Sequence, residues 1–387
     1  MGLKRLTILG STGSVGTQTL DLVAETPDFY QICALVGGRN VTLLAAQARQ
    51  FRPDITVISD ESLLPALREA LTGTGLAVAA GREAVLEAAS RPADWTMCAI
   101  TGTIGLEPTL ASVRRGGTIA FACKESLVSA GDVFLAEVRK AGATLLPVDS
   151  EHNAVMQAMA DGNRQMIDKI VLTASGGPFL NHSLEEMRGI TCEAALRHPI
   201  WSMGAKISID SATMFNKGLE VIEAARLFDL PSDKIEVLVH PQSVIHGMVY
   251  YADGSVLAQL GAPDMRIPIA HALAWPQRLA TQAPRLDLTQ VARLTFLPPD
   301  EVRFPALRLA REALQAGAGA PAVLNAANEV AVAAFLERRI GFLDIAGIVE
   351  TVMQKLGAPE VADIGAVLAL DEMARRAASA LAAFKAA

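Results

Sequence analysis

The segment Asp149-Ser150-Glu151-His152 sets two carboxylates two residues apart, directly after an apolar run, Thr144–Val148, that reads as a strand. Hard cations such as Mg2+ or Mn2+ take oxygen ligands, and Asp149 and Glu151 would face one way if the strand continued. The same residues cap helices well, so a cation site and a helix start are both open readings. A second cluster holds Ser211, Asn216, Lys217 and Glu220. On a helix Asn216 and Glu220, four apart, would share a face, with Lys217 beside it. Hydroxyl, amide and ammonium suit a phosphate, and the carboxylate suits a metal or a sugar hydroxyl. A plain helix start with a solvated Lys–Glu pair is the alternative. Ser175-Gly-Gly-Pro178, after the run Lys169–Thr173, offers a hydroxyl and backbone N–H groups to phosphate, or is only a turn. His198-Pro-Ile-Trp201-Ser-Met203-Gly204 reads as a lid that excludes water on closing, or as a buried anchor.

A further constellation opens the chain. Gly10-Ser-Thr-Gly13-Ser-Val-Gly16 follows an apolar run and precedes a helical stretch. Glycines there permit a tight turn and close approach to a pyrophosphate, which the helix N-terminus then faces. NAD enzymes carry a carboxylate at the end of the second strand. Here the chain reads Val36-Gly37-Gly38-Arg39-Asn40; Arg39 can pair with a 2′-phosphate, which reads as NADP, or it is a solvated surface charge.

These groups need a scaffold. Short apolar runs at Leu6–Gly10, Ile32–Val36, Ile55–Ser59, Leu76–Ala79, Trp95–Ile100, Thr118–Ala122 and Thr144–Val148 alternate with helical stretches. Several are apolar on both faces, which predicts a Rossmann-like, doubly wound parallel sheet of the α/β class over 1–149. Over 150–274, Lys169–Thr173, Ile235–Val239, Val244–Tyr251 and Ser255–Leu260, with Asp253-Gly254 as a hairpin turn, predict a central α+β catalytic domain. A proline-rich linker over 275–304 leads to a C-terminal helical bundle over 305–387. In it Ile345, Ile348, Val349, Val352, Met353 and Leu356 keep helical spacing up to Gly357.

The 387 residues suit two or three domains. A net charge of −7 argues against a nucleic-acid partner. Mean hydropathy is +0.31, yet no apolar run reaches the roughly 18 residues of a spanning helix. With no signal-like N-terminus, the expectation is a cytoplasmic protein without a membrane partner. Four scattered cysteines fit neither a disulfide framework nor a zinc site.

The order and spacing of GSTGSVG, KES at 124–126, DSEH, ASGGPF, HPIWSMGAKISIDSATMFNKGLE, HPQSVIH at 240–246, PDMRIPIAHAL at 263–273 and NAANEVAVAAFL at 325–336 resemble the 1-deoxy-D-xylulose 5-phosphate reductoisomerases over nearly the whole chain. The resemblance implies NADPH- and metal-dependent rearrangement and reduction of a small sugar phosphate by a homodimer. It further implies Gly10, Thr12, Gly13, Ser14, Val15, Gly38, Arg39 and Asn40 around the cofactor, with Cys123, Glu125 and Gly204 near its reactive end. Asp149, Glu151 and Glu220 would hold Mg2+ or Mn2+. Ser175, Ser211, Asn216 and Lys217 would take the phosphate, with His198 nearby, and Ser150, Trp201 and Met203 would contact the substrate. Lys124 would lie near the reacting centre; Lys124, Glu151 and a metal-bound hydroxide are candidate bases. Two positions depart from the family pattern: Cys123 stands where Asn is usual, and Ile200 where a polar residue is common. The competing readings are an NADP-dependent semialdehyde dehydrogenase, which needs a nucleophilic cysteine, and a non-catalytic NADP-binding sensor.

Overall fold

The apolar runs of the first 150 residues become seven parallel strands: β1 (Lys4–Leu9), β2 (Tyr30–Gly37), β3 (Ile55–Ile58), β4 (Val78–Ala80), β5 (Trp95–Cys98), β6 (Thr118–Phe121) and β7 (Thr144–Pro147). The computed structural model describes residues 3–159, 163–201 and 203–386. Strand order is β4-β3-β2-β1-β5-β6-β7. The chain therefore runs outward from β1 on one side, then returns to fill the other, as in a doubly wound sheet. The winding reverses between β1 and β5, where ligands bind beyond the carboxyl ends of such strands. Trp95, fully buried, donates its indole N–H to Ala272 O at 2.9 Å. This contact ties the helix Arg266–Ala274 to the sheet.

The chain divides into two compact units. One comprises 1–126, 134–149 and 265–283; the other comprises 127–133, 150–264 and 284–387. Residues 265–274, expected at the end of the catalytic domain, thus pack with the nucleotide-type sheet, as does the start of the expected linker. The C-terminal helices share one continuous core with the central sheet.

That second sheet has the order β11-β10-β8-β9 and is mixed, with β8 (Ile167–Ala174) parallel to β9 (Ile235–Val239) and antiparallel to β10 (Ile245–Tyr251), which pairs with β11 (Val256–Leu260). Asp253-Gly254 makes the hairpin turn, with Gly254 at φ +87°. The helix Ser150–Ala158 lies on β10, and it does so closely. A Cβ on Gly247 would stand 2.9 Å from Glu151 O and from Val155 Cγ2. The helix Phe215–Phe228 packs in the same way, because Gly218 brings it against Ala306 and Ala310 of the helix Ala306–Ala316. The expected linker is partly pinned: Val239 and Leu297 form an antiparallel bridge, and Phe296 stacks on His240 at 4.9 Å. Among the described residues, no helix is long and apolar enough to cross a membrane.

Candidate active site

In the first unit the glycine loop joins β1 to the helix Ser14–Glu25. Gly10 adopts φ +88°, and a Cβ there would meet Ala99 O at 2.5 Å; on Gly16 it would meet Gly10 O at 2.2 Å. Gly13 is the helix N-cap and supplies no side-chain cap, so the first N–H groups of that helix stay available to an anion. Thr12 and Val15 are part-exposed, and Gly13 and Ser14 are exposed. At the end of β2, Gly38 is open, with nothing within 4 Å of its Cβ position. Arg39 is largely exposed and held by Asp60 at 3.1 Å. Asn40 spends its amide oxygen capping the helix Val41–Phe51, accepting from Leu43 N at 3.0 Å, which leaves its NH2 group to donate.

Past β6, Cys123 caps the helix Lys124–Ala141. Its thiol is buried, 2.9 Å from Ser126 Oγ and 3.6 Å from Gly102 O. Burial pushes the thiol well above its ordinary range, and Glu125 adds to that. A thiol held protonated and out of solvent is no nucleophile. All four cysteines are buried, so the semialdehyde dehydrogenase reading lacks its essential group. Lys124 is nearly buried and forms an ion pair with Asp149, just beyond β7. Glu125 is buried beside it.

The second unit begins at Ser150. The strand does not continue through the acidic segment: Ser150 and Glu151 open a helix, so the periodicity of an extended chain does not orient them. Ser150 Oγ donates to Glu151 Oε2 at 2.5 Å. Glu151 Oε1 accepts from Lys217 Nζ at 2.7 Å, and the same ammonium bonds Glu220. Asn216 Nδ2 donates to Glu220 Oε1 at 2.5 Å, the expected i, i+4 pair. Against the alternative of a solvated Lys–Glu pair, Lys217 is buried, as is Glu220. Burial opposes the Lys217 charge, but Glu151 and Glu220 outweigh it and hold the ammonium above its usual value. Two oxygen-only carboxylates thus converge on one cation, a donor set suited to a hard metal ion.

His152 and Glu223 carry no role in the sequence reading, yet the structure gives them one. The buried His152 ring bonds Glu220 O through Nε2 at 2.9 Å and meets Glu223 Oε2 through Nδ1 at 3.2 Å. It fixes the spacing of the two helices that carry Glu151 and Glu220. The only sequence signal was its place beside Glu151. Gly247, the close seat of the first of these helices, leaves only a faint mark in the sequence, a lone glycine in a strand.

Ser175 Oγ sits 2.9 Å from His198 Nε2 and accepts from Gly177 N at 3.1 Å. His198 Nδ1 accepts from Ile200 N at 3.2 Å and Trp201 N at 2.9 Å. A nitrogen that accepts two N–H groups carries no proton, so the ring is neutral and donates through Nε2. Burial lowers the His198 pKa, in agreement. Ser175 then accepts twice, and its own proton is left to donate outward, as an anion requires. Ser211 is part-exposed on the helix Ala205–Thr213, whose exposed N-cap is Gly204. Trp201 and Met203 are part-exposed, and the Trp201 ring lies 6.0 Å from that of His246. Ser202, within the expected lid, lies outside the described residues.

A glycine cradle on a doubly wound sheet, with a separate carboxylate-and-donor cluster, defines a dinucleotide-dependent oxidoreductase. Family profiles refine this: 1-deoxy-D-xylulose 5-phosphate reductoisomerase matches residues 6–131, its C-terminal domain 145–228, and the DXP reductoisomerase C-terminal domain 260–377. The 1-deoxy-D-xylulose 5-phosphate reductoisomerase of Rhodospirillum centenum is 58% identical over 99% of this chain and 95% of its own. That of Gluconobacter oxydans is 58% identical over 97% and 93%. The solved Zymomonas mobilis enzyme in complex with NADPH has a TM-score of 0.93 at 53% identity, covering 98% of this chain and 99% of its own. A DOX-P reductoisomerase in complex with NADPH, fosmidomycin and magnesium gives 0.93 at 44% identity, covering 98% of each chain. This chain belongs to the 1-deoxy-D-xylulose 5-phosphate reductoisomerase family.

Proposed function

We propose that this reductoisomerase converts 1-deoxy-D-xylulose 5-phosphate to 2-C-methyl-D-erythritol 4-phosphate with the residues assigned below. NADPH is held by Gly10, Thr12, Gly13, Ser14 and Val15 at its pyrophosphate and by Gly38, Arg39 and Asn40 at its 2′-phosphate. Support comes from the steric cradle at Gly10 and Gly16 and from the absence of a carboxylate at 36–40. Asp149, Glu151 and Glu220 hold Mg2+ or Mn2+. When bound, the cation supplies Lewis acidity to the substrate oxygens and NADPH supplies the hydride.

The chain's own residues do the remaining work. Ser175, oriented by neutral His198, donates to the phosphate together with Ser211, Asn216 and Lys217. Ser150 reaches a substrate hydroxyl while bonded to Glu151. Lys124, poised against Asp149, and Glu151 are the candidate proton carriers. Trp201 and Met203 cover the substrate, and phosphate binding provides the free energy that closes that loop. The observation that carries this reading is the Glu151–Lys217–Glu220–Asn216 constellation, where a buried ammonium stands between two carboxylates.

The enzyme assembles as a homodimer in the cytoplasm. Support for the dimer comes from β11, an edge strand on which Val256, Leu257 and Leu260 are 36–45% exposed. An exposed apolar edge of this kind pairs with a second copy or invites aggregation. Lys217→Ala tests the site: turnover should fall by about 10- to 150-fold, from loss of one buried charge-assisted contact. Unchanged turnover would remove Lys217 from the site.

A further inference from the structure

Ser211 belongs to a helix whose Ser208, Ile209, Asp210, Ala212 and Thr213 are all buried. One of these is a carboxylate on a face that packs into an apolar core. Asp210 is 1% exposed. Burying a carboxylate is costly unless it is both paired and hydrogen-bonded. Asp210 has both. Lys206, one turn upstream, places Nζ 2.7 Å from Oδ2, and Asn328 donates Nδ2 to Oδ1 at 2.8 Å from the helix Ala320–Leu336. Asn328 is itself fully buried. Apolar residues of similar volume would dock the helix just as firmly. What a buried polar pair adds is a single rotational and axial setting.

All four groups assigned to the phosphate depend on that setting. Ser211 follows Asp210 directly. The loop of Ser175 rests on the same turn: Gly177 has φ +66°, and a Cβ there would stand 2.9 Å from Ser211 O and 3.1 Å from Ala212 Cα. Beyond Thr213 the chain reverses at Met214, also at φ +66°, straight into the helix that carries Asn216 and Lys217. One helix therefore sets the spacing of all four donors.

The structure assigns Asp210, gripped by Lys206 and Asn328, the role of a positioning residue for the substrate phosphate. We rest this on the assignment of Ser175, Ser211, Asn216 and Lys217 to that phosphate. The test uses the full chain with Asn328→Ala, Lys206→Met and, as control, Ser211→Ala. Each variant is measured for KM and kcat with 1-deoxy-D-xylulose 5-phosphate, half-saturating Mg2+, and inhibition by inorganic phosphate. In the first two variants KM and the phosphate inhibition constant should weaken together by about tenfold, the size of one lost buried hydrogen bond. Saturated kcat and the Mg2+ requirement should move much less. Lys206 is part-exposed, so its variant reports on the same grip if Asn328→Ala does not fold. Lower melting temperatures with unchanged phosphate inhibition, while Ser211→Ala weakens it, would overturn the positioning role alone. If Ser211→Ala is silent as well, the phosphate assignment falls and takes the positioning role with it.

Discussion

Glu220→Gln separates a metal ligand from a structural helix residue. The replacement is nearly isosteric, and the Glu220 carboxylate bonds Asn216 at 2.5 Å and the Lys217 ammonium. A glutamine carbonyl still accepts from Asn216. Lys217 keeps Glu151 at 2.7 Å, so its charge stays neutralised. Weakening the Lys217 contact costs the fold one charge-assisted hydrogen bond, about 1.5–3 kcal/mol. For a domain of this size that is a fall in Tm of roughly 3–12 °C. Metal binding loses far more in relative terms. Removing one of three carboxylates, at about 3 kcal/mol, raises half-saturating Mg2+ by roughly 100-fold. The assay is turnover against Mg2+ concentration, with thermal unfolding in parallel. A modest Tm shift with a steep rise in Mg2+ requirement is expected. Wild-type turnover at limiting Mg2+ would refute the reasoning, whatever the Tm.

Three further outcomes follow from single observations. Gly16→Ala drives a Cβ to 2.2 Å from Gly10 O and should abolish NADPH binding in a fluorescence titration, with roughly 1–3 kcal/mol lost on unfolding. Arg39→Ala, at a largely exposed site, should leave Tm unchanged and reduce the preference for NADPH over NADH by about tenfold. His198 has a folded pKa below its ordinary value, so the neutral form is the folded one and its contribution is complete above about pH 6.5. As pH falls through the lowered folded pKa, Nδ1 protonates and ceases to accept from Ile200 and Trp201. Hydrogen exchange of the Ile200 and Trp201 amides, corrected for intrinsic rates, should therefore lose protection on acidification and keep it at pH 7.

Where one period or one short spacing carried the information, the sequence was legible. The strands of the doubly wound sheet lie where apolar runs placed them, with ends shifted by a residue or two. The Asn216–Glu220 pair followed from helical spacing alone. Contacts made across long separations left no such trace. Lys217 looks solvated by local pattern because its partner Glu151 is 66 residues away, and only the packed helices bury the pair. Asp149-Ser150-Glu151 satisfied both strand and cap chemistry, and the close seat at Gly247 goes with the helix that forms. The return of 265–283 to the first unit was equally hidden, since an apolar helix carries no mark of which core receives it. Asn328 lies in the segment 325–336, yet its partner Asp210 is 118 residues distant.

The most direct test mixes the purified chain with 1-deoxy-D-xylulose 5-phosphate and NADPH, with and without Mg2+, following NADPH absorbance and identifying the product. Metal-dependent oxidation of NADPH with formation of 2-C-methyl-D-erythritol 4-phosphate is the predicted result. NADPH binding without turnover under any divalent cation would contradict it.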